Sequence, residues 1–171
     1  MICYIINSQT VTALVNEIKM KIDNIVQKTG VVKDGMTIGQ GFQECVSKDV
    51  PGLPYVDSEN NVKGCFSISK TLLSACIPEV MVEYADLLGD DSESMIFPEE
   101  HADKILSLPA NTFLSQECIE IASDTTISKS VALMEKHKVD YLFVVDGGDY
   151  IGLVTIDGIA RRMLEIDKLK I

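Results

Sequence analysis

Apolar positions along the chain follow two spacings, one typical of amphipathic helices and the other of buried strands. Apolar residues that recur three and four positions apart share one face of a helix. This spacing predicts helices at about 11–25, 37–47, from about 70, 80–88, 98–105, 127–137 and 157–166. Short apolar runs bounded by polar or glycine-rich turns predict strands at 31–32, 53–57, 62–68, 119–121, 141–146 and 150–155. The elements therefore form two groups, each in the order β-α-β-β-α.

The two groups are also related in sequence. Val50-Pro-Gly-Leu-Pro-Tyr-Val-Asp57 reappears 89 residues later as Val139-Asp-Tyr-Leu-Phe-Val-Val-Asp146. Gly64-Cys-Phe-Ser67 corresponds to Gly152-Leu-Val-Thr155, 88 residues later, and the missing residue falls in a hairpin turn. Because a duplicated unit usually packs on its copy, we expect a pseudo-twofold pair with a crevice between the halves. That crevice is the expected place of the functional site.

The predicted elements divide the chain into four parts. Residues 1–20 are an N-terminal helical segment, 21–77 the first repeat, 78–107 a helical connector and 108–171 the second repeat. The connector contains an acidic break at 89–94 between two predicted helices. Since these helices carry many apolar residues, we expect the connector to pack on another surface rather than to act as a free tether.

Charge and composition narrow the possible functions. The 171 residues carry a formal net charge of −11, which argues against nucleic acid, because binding a phosphate backbone needs a surplus of Lys and Arg. The same charge disfavours anionic membranes. No apolar run approaches the ~20 residues of a membrane span, and the apolar first six residues lack a basic leader and a cleavage site. We therefore expect a cytoplasmic protein.

Side chains that would support catalysis or bind a metal are few. The five cysteines are scattered without a Cys-x-x-Cys pair, which favours free thiols in the core. His101 and His137 have no Cys, Asp or Glu at metal-ligand spacing. No nucleophile is paired with a base. We therefore expect no enzyme activity, no metal and no cofactor.

The repeated unit resembles a known domain. Its Gly-Leu-Pro-x-Val-Asp strand, followed by a strand that ends in Gly-x-x-Ser/Thr, is similar to the CBS domain, named after cystathionine β-synthase. Two such units in tandem resemble a Bateman module over roughly residues 21–77 and 108–166. The resemblance implies an α+β fold of tandem CBS domains with an adenosine ligand (AMP, ADP, ATP or S-adenosylmethionine) in the clefts. It also implies dimers and the regulation of an enzyme, channel or transporter.

The resemblance further implies which residues would contact that ligand. Those expected to line the slot for the base are Val50, Pro51, Gly52 and Leu53 in the first repeat and Val139, Asp140 and Tyr141 in the second. Tyr141 would either stack on the purine or fill that space as a core aromatic. Ser67 and Thr155 hold the position of the hydroxyl that meets the ribose and phosphate.

The chain departs from the family pattern three residues after each hydroxyl, where an acid usually contacts the ribose. Lys70 and Gly158 occupy these positions, and Asp157 lies one residue early. A helix turns by about 100° per residue, so Asp157 either contacts the ribose or caps the helix. Lys70 and Arg161 would attract phosphate oxygens, unless they lie on ordinary solvated helix faces. These charges favour AMP or ADP over S-adenosylmethionine.

Two functions follow from the sequence. The first is a regulatory module that binds an adenosine nucleotide between its two CBS domains and signals to an unidentified partner protein. The alternative is a dimeric interaction scaffold that has lost the ligand. In both, Leu72-Leu73 and Ile159–Met163 present apolar helix surface, which predicts a homodimer.

Overall fold

The structure, a computed structural model, describes residues 21–87 and 98–168. Most of the helix predicted at 11–25 and the acidic break predicted at 89–94 lie outside the described residues. The described helices are α1 (Ile38–Lys48), α2 (Ile68–Cys76), α3 (Glu79–Glu83), α4 (Pro98–Ser107), α5 (Ile127–His137) and α6 (Ile156–Lys168). The strands are β1 (Gly52–Val56), β2 (Val62–Ser67), β3 (Glu120–Ile121), β4 (Tyr141–Asp146) and β5 (Asp149–Thr155). Short 3₁₀ helices occupy Ile22–Asn24, Ala85–Leu87 and Ala110–Phe113.

These elements form the two predicted β-α-β-β-α units of an α+β fold. In the first unit, Val32 makes a parallel bridge to Tyr55 of β1, and β1 pairs antiparallel with β2. In the second, β3 lies parallel to β4, which pairs antiparallel with β5. The β4–β5 turn contains Gly147 and Gly148 with φ of 63° and 94°, a region in which a Cβ atom is unfavourable.

Equivalent residues begin and end the first helix of each unit. The hydroxyls of Thr37 and Thr126 each accept a hydrogen bond, at 3.3 Å, from the amide three residues further on, which caps α1 and α5. The residues after the two helices, Asp49 and Lys138, adopt the left-handed conformation with φ of 53° and 54°. Both helices are consequently 11 residues long.

Each repeat is completed by a segment from the beginning of the other repeat. Gln27 exchanges two backbone hydrogen bonds with Leu153 of β5, with N–O distances of 2.8 and 3.0 Å. Ser115 exchanges the equivalent pair with Cys65 of β2, both at 2.9 Å. Gln27 and Ser115 are 88 residues apart, as are Cys65 and Leu153. The exchange therefore follows the same pseudo-twofold relation as the repeats and ties them together through the backbone.

The larger of the two apolar cores is shared between the repeats. It contains Leu53 and Phe66 from the first repeat together with Phe143 and Leu153 from the second. In a smaller apolar cluster, Ile22 packs against buried side chains of the second repeat. Each fully buried side chain of this kind stabilises the fold by about 1.5–3 kcal/mol. The shared core therefore holds the repeats against each other and fixes the geometry of the crevice between them.

The connector differs from the single helix predicted at 80–88. The structure has instead the short helix α3 and the 3₁₀ helix Ala85–Leu87, because Tyr84 between them leaves the helical conformation (φ −110°, ψ 26°). Val80 and Leu87 in this part are 59% and 80% exposed. By contrast, α4 packs against α1 and buries Ile105 in the core that the two repeats share.

Candidate functional site

A cavity of about 590 Å³ lies between the two repeats, and we call it the Thr155 cleft. The second repeat contributes Asp140, Thr155, Ile156 and Asp157 to its walls, and the first contributes Cys45, Val46, Asp49, Val50, Pro51 and Ile68. The cleft thus brings together five of the residues that the sequence predicts for ligand binding, namely Val50, Pro51, Asp140, Thr155 and Asp157.

The end of α1 and the starts of α2 and α6 hold the walls of the Thr155 cleft in place. The left-handed conformation of Asp49 ends α1 and turns the chain into Val50 and Pro51. Backbone hydrogen bonds then fix each wall to the start of a helix, because Ile68 N donates to Pro51 O at 3.1 Å and Ile156 N to Asp140 O at 2.8 Å. The cleft is therefore lined by backbone that already has its hydrogen-bond partners.

Thr155 is a buried hydroxyl at the start of α6. Its Oγ1 accepts a hydrogen bond from Gly158 N at 2.9 Å, so Thr155 caps the helix and Asp157 does not. The suggestion that Asp157 caps α6 is therefore wrong. Asp157 lines the cleft instead. Because a hydroxyl has one donor and two acceptor sites, the capping bond leaves Thr155 able to donate to a ligand oxygen.

The charge around the Thr155 cleft is mostly negative. Asp49, Asp140 and Asp157 border it. Arg161 of α6 lies at its edge, and one of its guanidinium nitrogens is 2.6 Å from Asp49 Oδ2. Both side chains of this ion pair are more than two-thirds exposed, so the pair contributes at most about 1 kcal/mol to stability. It nevertheless joins the two repeats across the mouth of the cleft.

On the other side of the pseudo-twofold relation, Tyr141 lies against Gly52 and Ser67, and Ser67 is the residue equivalent to Thr155. A Cβ atom added to Gly52 would lie only 2.7 Å from the Tyr141 hydroxyl oxygen, so the ring is pressed against β1. The ring also packs edge-on to Phe143 at 5.4 Å. Burial raises the pKa of Tyr141, and a hydrogen bond that its hydroxyl oxygen accepts from Ser67 opposes this shift. Of the two interpretations of Tyr141, the structure favours the one in which its ring packs against the core.

The remaining predicted residues lie outside the Thr155 cleft. Ser67 caps α2 by accepting from Lys70 N at 3.4 Å, and Leu53 is fully buried in the core. The Lys70 ammonium donates to Ser115 Oγ at 2.7 Å and borders a separate surface depression of about 450 Å³. Val139 and Tyr141 border a void of about 10 Å³. Gly158 of α6 donates its amide to Thr155 Oγ1, and Arg161 pairs with Asp49 at the edge of the cleft.

Sequence reasoning missed Asp49 as a residue of the cleft. Asp49 directly precedes the Val50-Pro51 stretch, and its position between a predicted helix and a predicted strand was the available signal. A residue that leaves a helix in the left-handed conformation is frequently Gly or Asn, so an aspartate there is unusual. In the described ranges, no three His, Cys, Asp or Glu side chains are grouped so that they could hold a metal ion.

Comparisons with known proteins agree with this geometry. The sequence profile of the CBS domain matches residues 110–165. The CBS domain of a CBS domain containing membrane protein from Sphaerobacter thermophilus has 20% identity and a TM-score of 0.61, over 90% of this chain and 94% of that one. The protein CBSX2, solved in complex with AMP, has 20% identity and a TM-score of 0.58, over 86% and 98% of the two chains.

A third structure of the same fold has no assigned function. It is a CBS domain-containing protein from Bacillus anthracis, with 13% identity and a TM-score of 0.59 over 88% of this chain and 98% of that one. No curated protein sequence matches this chain. Among the described residues, no helix combines the length and apolar composition that crossing a lipid bilayer requires. Residues 110–165 of this chain therefore match the CBS domain, and its described residues have the fold of tandem CBS-domain structures.

Proposed function

We propose that this protein is a regulatory module that binds an adenosine nucleotide, AMP or ADP, in the Thr155 cleft and passes its occupancy on to a partner protein. The observation that carries the proposal is the cleft itself, a 590 Å³ cavity with walls from both repeats. Cavities of about 300–1,000 Å³ typically hold ligands of this size. The same fold in CBSX2 has been solved with AMP bound.

Each part of a nucleotide has a complementary group in the Thr155 cleft. Val50 and Pro51 offer an apolar wall for the base. Thr155 would donate to a ribose or phosphate oxygen, and the Asp157 carboxylate would accept from ribose hydroxyls. The start of α6 would attract a phosphate, because the first amides of a helix carry a partial positive charge.

The number of phosphates should be small. The carboxylates of Asp49, Asp140 and Asp157 repel every added phosphate, whereas Arg161 is the cation at the edge of the cleft. AMP and ADP should therefore bind more tightly than ATP. Lys70 lies outside this cleft and does not select against S-adenosylmethionine there. That cationic ligand therefore belongs in any comparison of affinities.

A ligand in this position would couple the two repeats. It would contact walls from both and replace the direct Asp49–Arg161 ion pair, so occupancy would change how firmly the repeats hold each other. Exposed apolar side chains on α2 and α6, Leu73, Met163 and Leu164, are 47%, 61% and 65% exposed. We propose that these helices form a homodimer interface, without Ile159, which is buried in the core.

The alternative function is a dimeric interaction scaffold without a ligand. One observation favours it: Tyr141 lies against Gly52 and hydrogen-bonds Ser67, the residue equivalent to Thr155, so that hydroxyl is already engaged within the protein. The two functions differ in whether the Thr155 cleft binds anything.

Isothermal titration calorimetry with AMP, ADP, ATP and S-adenosylmethionine separates the two functions. We expect AMP and ADP to bind in the Thr155 cleft, and ATP to bind there more weakly. A ligand at 100 times its dissociation constant should also stabilise the protein by about 2.7 kcal/mol. No binding heat at millimolar AMP or ADP would favour the scaffold. Tighter binding of S-adenosylmethionine would refute the proposed ligand class.

A further inference from the structure

Two cysteine thiols meet where the segment that enters the second repeat crosses β2. Cys65 of β2 and Cys118 of that segment both place their sulfur near the Ser115 carbonyl oxygen, at 3.7 and 3.8 Å. The Cys65 thiol also donates to the carbonyl oxygen of Glu117, the residue before Cys118, at 3.2 Å. The antiparallel bridge between Cys65 and Ser115 holds the two backbones together, so the thiols are neighbours because of the fold.

The surroundings make the two thiols chemically different. A hydrogen bond from Cys118 lowers the pKa of Cys65, and the positive charge of Lys70 acts in the same direction. The same hydrogen bond raises the pKa of Cys118, and burial adds to that effect. Cys65 therefore ionises first, next to a thiol that keeps its proton. A thiolate beside a second, resolving thiol is the arrangement typical of reversible cysteine oxidation.

Access to the thiol pair is narrow. The Cys65 side chain borders a void of about 10 Å³ together with Glu117 and Tyr141, which is about the volume that one water-sized molecule requires. Cys65 is only 4% exposed, whereas Cys118 is partly exposed. A small oxidant such as hydrogen peroxide must therefore reach the pair from the Cys118 side.

We propose that Cys65 and Cys118 form a reversible disulfide when the protein meets hydrogen peroxide. The Cys65 thiolate attacks one peroxide oxygen, the O–O bond breaks, and the products are a Cys65 sulfenic acid and hydroxide, which takes up a proton to become water. Cys118 sulfur then attacks Cys65 sulfur, and the displaced hydroxyl leaves as a second water with the Cys118 proton. Two thiols are oxidised and one peroxide is reduced to two waters.

The disulfide would fix the crossing segment to β2. It would link two cysteines that are 53 positions apart in the chain and would lie against Tyr141, which borders the same void. Oxidation would therefore stiffen the contact between the repeats without entering the Thr155 cleft. This site is independent of the proposed nucleotide function and does not require a ligand.

Peptide mapping of the full chain tests the disulfide directly, because trypsin separates every cysteine into its own peptide. Cys65 falls in residues 64–70 and Cys118 in 105–129. After hydrogen peroxide treatment and alkylation, we expect these two peptides to appear linked, and a thiol reductant to release them. Cys118→Ser should leave a Cys65 sulfenic acid that dimedone traps, and Cys65→Ser should leave Cys118 reduced.

Cys45→Ser is the matched control, because Cys45 is equally buried and burial raises the pKa of its thiol to about 12. This variant should form the linked peptide at the wild-type rate. The oxidised wild-type protein should unfold at least about 4 °C above the reduced protein, and Cys118→Ser should show no such shift. The proposal is refuted if Cys65 or Cys118 is oxidised without linking the two peptides, if other cysteines link first, or if both thiols stay reduced.

Discussion

Replacing Thr155 by Val removes one hydroxyl from the cleft and separates its two roles. The Thr155 Oγ1 caps α6 through Gly158 N at 2.9 Å, and losing such a cap costs about 1 kcal/mol of unfolding free energy. In the proposed complex the same hydroxyl donates to AMP, and a neutral hydrogen bond contributes about 0.5–1.5 kcal/mol. We therefore expect Thr155→Val to weaken AMP binding by about 2- to 12-fold, as measured by calorimetry.

The pseudo-twofold relation supplies a matched control at Ser67. Ser67 caps α2 in the same way, at 3.4 Å from Lys70 N, but it lies outside the Thr155 cleft. Ser67→Ala should lower stability by about 1 kcal/mol and leave AMP affinity unchanged, while Thr155→Ser should keep both properties. Equal losses of affinity in the Thr155 and Ser67 variants would refute the reasoning, since the effect would then follow stability and not contact with the ligand.

Three further substitutions test other parts of the structure. Asp49→Asn should release Arg161 and remove a carboxylate that repels the phosphate, so AMP should bind up to about 5-fold more tightly. Unchanged or weaker AMP binding in calorimetry would contradict this expectation. Gly152→Ala should lower the free energy of unfolding in urea by about 2–4 kcal/mol, because the added Cβ would lie 2.5 Å from the Gln27 carbonyl oxygen. Gly64→Ala should lower it less, because its Cβ would lie 3.1 Å from the Ser115 carbonyl oxygen. Met163→Glu should halve the mass seen by light scattering, and an unchanged dimer would place the interface elsewhere.

The elements of each repeat could be predicted because their signals are local. The strand predicted at 141–146 coincides with β4, because a continuous apolar run next to two glycines in a turn has few other conformations. Thr37 and Thr126 set the helix starts through their own hydroxyls. Helix α6 runs two residues beyond its predicted end at 166, since a helix end without a breaker residue carries no sharp signal.

The segments around Gln27 and Ser115 each pair with a strand of the opposite repeat, and this crossing could not be predicted from apolar spacing. Gln27 and Ser115 pair through backbone atoms, and such pairing needs no particular side chain. The signal in the sequence lies on the partner strands, where Gly152 and Gly64 leave room for the approaching carbonyl groups. These glycines mark the family motif, and the structure gives a physical reason for them.

The Thr155 cleft was predicted in outline and not in its charge. The sequence named Val50, Pro51 and Thr155 as ligand residues of separate repeats, and the structure brings them into one cleft. The two interpretations of Tyr141 differ only in side-chain packing, which apolar spacing does not fix. The carboxylate of Asp49 reaches the cleft through a left-handed residue at a helix end, a conformation for which aspartate is a weak signal.

Hydrogen–deuterium exchange of the full chain with and without AMP is the most direct measurement of the central claim. AMP should slow exchange in the segments that line the Thr155 cleft, chiefly 45–51 and 155–157, and leave the separate depression at 112–115 unchanged. Slower exchange at 112–115 instead, or no change anywhere at millimolar AMP, would contradict the claim that this cleft binds the nucleotide.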